Sequence, residues 1–125
     1  MKFLNIIMDL WSNDGCPTND PQDTMKLKNV IQDAITDMTR QQIQIAPATV
    51  DQTITLPTAT TNYVGILTDE PISIKINGVG TAIACTPKIA GRKTLVFFNK
   101  GTISALTVSN AGTVAANIDV IAAAH

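Results

Sequence analysis

The side chains that could carry chemistry are few and scattered. The single histidine, His125, ends the sequence, and the two cysteines, Cys16 and Cys85, stand far apart. One His with two separated Cys does not make a metal-ligand set. A terminal His is a poor general base, so Ser or Cys nucleophiles lack the partner that a triad requires. Past residue 48 the carboxylates are Asp51, Asp69, Glu70 and Asp119, of which only Asp69 and Glu70 are adjacent. Paired carboxylates can hydrolyse glycosides, but these two sit in a turn leading into Pro71, and only 4% of residues are aromatic, too few for the platforms that sugar sites usually add. Residues 12 to 23, Ser-Asn-Asp-Gly-Cys-Pro-Thr-Asn-Asp-Pro-Gln-Asp, could suggest calcium. The spacing fails an EF-hand, because Trp11 occupies a ligand slot counted from Asp9 and Gly15 comes one place late. Gly78, Gly80 and Gly91 do not open a helix, so they read as turn glycines rather than a phosphate cradle. The expectation is a non-enzymatic protein with no catalytic residue, metal, cofactor or small-molecule substrate.

The elements that would position such residues are mostly strands. The stretch 71 to 78, Pro-Ile-Ser-Ile-Lys-Ile-Asn-Gly, places Ile72, Ile74 and Ile76 on one face and Ser73 and Lys75 on the other. Asn77 and Gly78 then supply the two positive-φ positions of a tight hairpin turn. Strands are predicted at 50 to 56, 62 to 68, 71 to 77, 81 to 86, 93 to 99, 103 to 109 and 113 to 122, punctuated by turn chemistry at Asp69, Glu70 and Pro71, at 87 to 91, at 99 to 101 and at 110 to 112. Short strands at regular spacing without helices between them predict an antiparallel β-sandwich or jelly roll over residues 48 to 125. Leu95, Val96, Phe97 and Phe98 make a strand apolar on both faces, which is either central or meets another subunit on one face. Ala122, Ala123, Ala124 and His125 read as a frayed end.

Residues 1 to 47 read as an N-terminal arm. Asp20 and Pro21 carry helix-start chemistry, and Leu27, Val30, Ile31, Ala34, Ile35 and Met38 recur at helical spacing. One amphipathic helix over about 21 to 42 is predicted, its stripe packing on the β domain or forming a seam between subunits through Leu27, Ile31, Ala34 and Met38. Trp11 reads as a core or subunit-contact anchor.

Charged residues are only 15% of the sequence, fewer than the roughly 25% usual for a soluble domain, which suggests that other chains cover part of the surface. The net charge of −1, without basic or acidic runs, argues against nucleic acid and anionic membranes as partners. The apolar residues 3 to 11 are too few to span a bilayer and lack a cleavage site. Cys85, inside a predicted strand, reads as a small buried apolar residue, although a bridge to Cys16 stays open.

The pattern from about Thr53 to Ala122 resembles a class of small β-sandwich virion proteins of tailed bacteriophages. It comprises a Thr-rich opening strand (Thr-Ile-Thr-Leu-Pro, 53 to 57) and a strand ending in Thr-Asp-Glu-Pro (68 to 71) that leads into Ile-Ser-Ile-Lys-Ile-Asn-Gly. The apolar strand 95 to 98, Ile-Ser-Ala-Leu-Thr-Val-Ser-Asn (103 to 110) and an Ala/Val-rich final strand complete it. The resemblance implies a structural component of the particle, on the capsid as a decoration or cement protein, at the head-to-tail junction or in the tail. Its partners would be copies of itself and other virion proteins, and assembly would occur in the cytoplasm of the host bacterium. The other expectation is a small carbohydrate- or receptor-binding module of a tail fibre or adhesin, marked by exposed aromatics among Trp11, Tyr63, Phe97 and Phe98.

Overall fold

The alternation at 71 to 77 becomes a strand with its isoleucines inside: Ile72 and Ile74 are buried, and Ser73 and Lys75 lie on the other face. The computed structural model describes residues 2–11, 26–58, 60–78, 80–89 and 91–125, with the side chains at 8–11, 26–31 and 100 outside that description. Its strands are β1 (Lys2–Trp11), β2 (Lys26–Ile35), β3 (Asp37–Ile45), β4 (Thr49–Thr53), β5 (Thr61–Thr68), β6 (Ile72–Ile76), β7 (Ile83–Cys85), β8 (Thr94–Ile103), β9 (Leu106–Asn110) and β10 (Ala116–Ala124). No helix occurs among the described residues.

The chain divides into two units, Met1–Ala34 and Ile35–His125. In the first, β1 and β2 form a two-stranded sheet. Asn5 Oδ1 accepts a 3.0 Å hydrogen bond from Gln32 Nε2, and Phe3 and Ile7 are exposed. The second unit holds two four-stranded sheets, ordered β3-β10-β5-β8 and β4-β9-β6-β7, with every pairing antiparallel. Except between β6 and β7, consecutive strands alternate between the sheets, the connectivity of two Greek keys wound into a jelly roll. The inward residues of both sheets, among them Ile45, Val64, Ile66, Ile74, Ile103, Leu106, Val108 and Val120, merge into one core.

The helix predicted over 21 to 42 is corrected to strands over its described part. In β3 the residues alternate between half-buried and exposed up to the buried Ile45, and nine of them pair with β10 from Ala116↔Ile45 to Ala124↔Asp37. Thr36, Thr39, Ile35 and Ile43 are β-branched and suit a pleated surface better than a helix. The supposed stripe does not share one environment, since Ile35 is 5% and Met38 46% exposed. Leu27, Ile31 and Ala34 lie on β2, so no helical seam joins them to Met38 on β3. The side chains of Trp11, Leu27 and Ile31, the loop 12 to 23, the helix start at Asp20 and Cys16 lie outside the described residues. The unit boundary falls before Ile35 rather than after residue 47, because β3 is a strand of the first four-stranded sheet.

Three further expectations change. Asn77 and Gly78 do adopt positive φ (59° and 64°), but β6 meets β7 only from Ile74↔Ile83 onward, so the connection is longer than a two-residue hairpin. The reason is that β6 runs on to Ile76 to pair with β9. The strand apolar on both faces, β8, lies at a sheet edge rather than its centre. The C-terminal alanines are not frayed: Ala122, Ala123 and Ala124 are buried in β10, between β3 and β5. As expected, Cys85 is a buried free thiol, and burial pushes its pKa up.

Ala48 sits in the left-handed region at φ 59°. Relief of its Cβ crowding, ~1–2 kcal/mol, exceeds the chain entropy that glycine adds, ~0.4–1 kcal/mol. Ala48→Gly is therefore expected to stabilise the fold by about 0.5–1 kcal/mol, read as a rise in Tm.

Candidate functional site

Antiparallel register fixes which residues share the outer face of the β3-β10-β5-β8 sheet. Along one row lie Gln42, Asp119, Leu67 and Leu95, along the next Arg40, Ile121, Gly65 and Phe97, and along the third Met38, Ala123, Tyr63 and Asn99. Much of this face is apolar and partly open to solvent: Leu95 and Met38, at opposite corners, are 66% and 46% exposed, and Ile121, near the centre, is 41% exposed. Tyr63 and Phe97 stack diagonally, with centroids 6.5 Å apart and planes at 19°. Gly65, with no side chain, lets the Phe97 ring lie beside its backbone; a Cβ there would meet Phe97 Cδ2 at 3.9 Å.

The outer face of the other sheet has the opposite character. Thr53, Ser73, Lys75, Thr107 and Ser109 lie on it in register, and Lys75 Nζ reaches Asp51 Oδ1 at 3.4 Å. Polar outside and apolar inside is what a half-solvated antiparallel sheet normally shows. The first sheet departs from that rule.

One end of the apolar face is bordered by a polar network. Arg40 donates from Nε and a terminal nitrogen to the two Asp119 oxygens at 3.3 and 3.0 Å. Asn117 donates to Asp69 through its backbone N (2.7 Å) and Nδ2 (2.8 Å), and Gln44 Nε2 donates to Asn117 Oδ1 at 3.4 Å. An open cleft of about 420 Å³ lies here, lined by Gln42, Gln44, Lys93, Asn117 and Asp119 with Ile43 and Ile118. The Arg40 hydrogen bond holds the Asp119 carboxyl below its ordinary pKa against partial desolvation, helped by the charges of Arg40 and Lys93 and by Gln42. For Asp69, desolvation pushes upward, but the Asn117 hydrogen bonds and Lys93 together outweigh it, and the pKa is lowered.

Both carboxylates thus bind protons less readily folded than unfolded. The unfolded chain takes up protons first as pH falls through the ordinary carboxylate range near ~4, so the stability these groups supply is complete above that range and drains below it. Tm is expected to fall between about pH 5 and pH 2, with a shallower fall in Asp69→Asn and Asp119→Asn.

The chemistry of this face is apolar burial and charge-assisted hydrogen bonding. Among the described residues, no group of three or more His, Cys, Asp or Glu comes together as a metal site. Asp69 is engaged with Asn117, and in the same turn Glu70 O accepts from Thr68 Oγ1 at 2.7 Å. Of the candidate aromatics, Tyr63 and Phe97 are on the outer face and Phe98 packs against the core. Of the candidate contact residues, Met38 belongs to the face and Ala34 does not. Leu95 and Phe97 belong to the strand whose two apolar faces already pointed to a centre or a subunit contact, whereas Leu67, Ile121 and Arg40 carry no such expectation from the sequence. A signal for the apolar ones was available: Ile66 with Leu67, residues 95 to 98, and Val120 with Ile121 are apolar on consecutive positions, in three strands that share one sheet.

No family model matches the chain. No curated protein matches it. Among solved structures it is similar to the cupin domain of Schizosaccharomyces pombe Cnp3, at 10% identity, covering 97% of this chain and 84% of that one with a TM-score of 0.49, a likeness that carries no argument about function.

Proposed function

We propose that this chain is a non-enzymatic structural subunit that assembles in multiple copies through the outer face of the β3-β10-β5-β8 sheet. The observation that carries this is the contrast between the two outer faces, one polar and one lined by Met38, Leu67, Leu95, Phe97 and Ile121. Keeping such a surface wet forgoes about 25 cal/mol for each Å² of apolar area that a neighbour could cover, and contiguous patches of this kind mark interaction sites. The sequence resemblance suggests the setting: a virion component of a tailed bacteriophage, on capsid or tail, built in the host cytoplasm and contacting copies of itself and other virion proteins.

Leu95→Asp tests the reading. Leu95 is largely exposed on an edge strand, so the charge is expected to leave folding and Tm nearly unchanged while abolishing association measured by light scattering. An unassociated wild-type chain, or a variant that associates as well as wild type, would sink it.

A second reading has its own support. The Gln42, Gln44, Lys93, Asn117 and Asp119 cleft opens at the end of the face that carries Leu67, Leu95, Tyr63 and Phe97, and hydrogen-bonding groups beside apolar and aromatic surface suit a saccharide or receptor ligand. Binding on a glycan array that is lost in Asn117→Ala would favour it, and silence on the array would remove it.

A further inference from the structure

We infer that the occupant of this face is a second copy of the same chain, packed face to face about a twofold axis that runs parallel to the strands, between β10 and β5. The inference rests on the assembly reading and names its partner and geometry. An isologous interface must be self-complementary, and three features of the face meet that demand.

The first is relief. Ile121 and Gly65 are direct cross-strand neighbours on β10 and β5, so a projecting side chain stands beside a position with none. An axis along the strands exchanges β10 with β5 and β3 with β8 while keeping each row in place. Ile121 of each copy then meets Gly65 of the other, twice per dimer. The same operation sets Arg40 over Phe97 of the second copy, within reach of a cation–π contact, while Asp119 keeps its two Arg40 hydrogen bonds. An axis across the strands through the same row instead brings Arg40 onto Arg40, Ile121 onto Ile121 and Gly65 onto Gly65, which pairs like charges and leaves the step unfilled.

The second is charge. The polar border carries two cations, Arg40 and Lys93, and two anions, Asp69 and Asp119, so the face has no net charge with which to repel its own copy. The third is size. Four strands at ~4.8 Å spacing and nine residues at ~3.4 Å give a flat face of about 590 Å². Side-chain relief adds to this, bringing it near the ~800 Å² per partner of a standard stable interface, and two stacked sheets pack in an aligned manner about 10 Å apart.

Gly65→Val is the discriminating variant. Gly65 lies in a strand without positive φ, and a Cβ there makes only an ordinary contact with Phe97, so the fold tolerates it and β-branched valine suits the strand. In a dimer it overfills both steps, each at roughly the tenfold level, weakening self-association on the order of 100-fold. The experiment measures mass against concentration for the wild-type chain, Gly65→Val, Leu95→Asp and the double variant Gly65→Val with Ile121→Ala, each checked for unchanged Tm. The expected result is a two-copy wild type, monomeric Gly65→Val and Leu95→Asp, and a double variant that dimerises again because the smaller knob matches the filled step. A wild-type dimer that Gly65→Val leaves intact overturns this geometry. A wild-type assembly of three or more copies that Leu95→Asp dissolves overturns the twofold pairing and leaves the assembly reading standing. A wild-type monomer overturns both.

Discussion

Replacing Asn110 by alanine is expected to cost the fold about 3–5 kcal/mol, a large part of the ~5–15 kcal/mol that holds a domain together. Asn110 is 1% exposed and ends β9, yet all of its amide is used. Nδ2 donates to the carbonyls of Ile45 (3.1 Å) and Val114 (2.9 Å), and Oδ1 accepts from the N–H of Gly112 (3.0 Å). Two carbonyls and one N–H as partners also settle which end of the amide points where. The first bond ties the end of β3 in one sheet to the end of β9 in the other, and the other two hold the turn into β10. Alanine leaves three backbone groups without partners in a site that water enters poorly. Asn110→Asp sharpens the test, since a carboxylate keeps the Gly112 bond but faces two carbonyl oxygens with no proton to offer. Its deficit should shrink on mild acidification, when the protonated acid can donate once, whereas the alanine deficit should not. Urea unfolding at two pH values measures both.

Deleting residues 122 to 125 is expected to abolish cooperative folding of residues 35 to 125. The segment completes the inner strand of a four-stranded sheet: Ala122 pairs with Thr39 and Val64, Ala123 with Met38 and Tyr63, and Ala124 with Asp37 and Thr61. Ala124 O accepts from the Thr36 N–H at 2.9 Å, and the His125 N–H donates to Asn62 Oδ1 at 2.9 Å. Removal breaks backbone bonds on both flanks, each worth about 0.5–1.5 kcal/mol net, and uncovers apolar groups at about 0.8 kcal/mol per CH₂. The sum is on the order of 5 kcal/mol, comparable to the whole stability of a small domain. Far-ultraviolet circular dichroism against temperature reads it directly, and a sharp transition near the wild-type Tm would contradict the placement of β10.

From the sequence alone, residues 122 to 125 read as a loose end, because three alanines carry little strand preference and termini usually fray. What the sequence could not display is that β10 lies between β3 and β5, where burial on both faces overrides intrinsic propensity. The seven strands after residue 48 were legible because alternation and turn residues agree there, as in Ile72 and Ile74 against Ser73 and Lys75. The helical expectation over 21 to 42 fails in its described part, 26 to 42, for a related reason. Its inward positions on β3 include Thr39 and Gln41, half-buried polar residues that blur the period of two, and the apolar Met38 points outward. By spacing alone, residues that occupy different environments then line up as a helical stripe. The candidate face was half legible: a strand apolar on both sides at 95 to 98 announced a buried centre or a subunit contact, and only the strand order, with β8 at the edge, decides against the centre.

The most direct test of the account is carbene footprinting of the wild-type chain at low and high concentration, with labelling read residue by residue. If the outer face of the β3-β10-β5-β8 sheet is the assembly surface, labelling at Leu95, Phe97 and Ile121 falls as concentration rises, while Ser73, Lys75 and Thr107 on the opposite face stay unchanged. Unchanged labelling at Leu95, Phe97 and Ile121, or protection of the polar face instead, would contradict it.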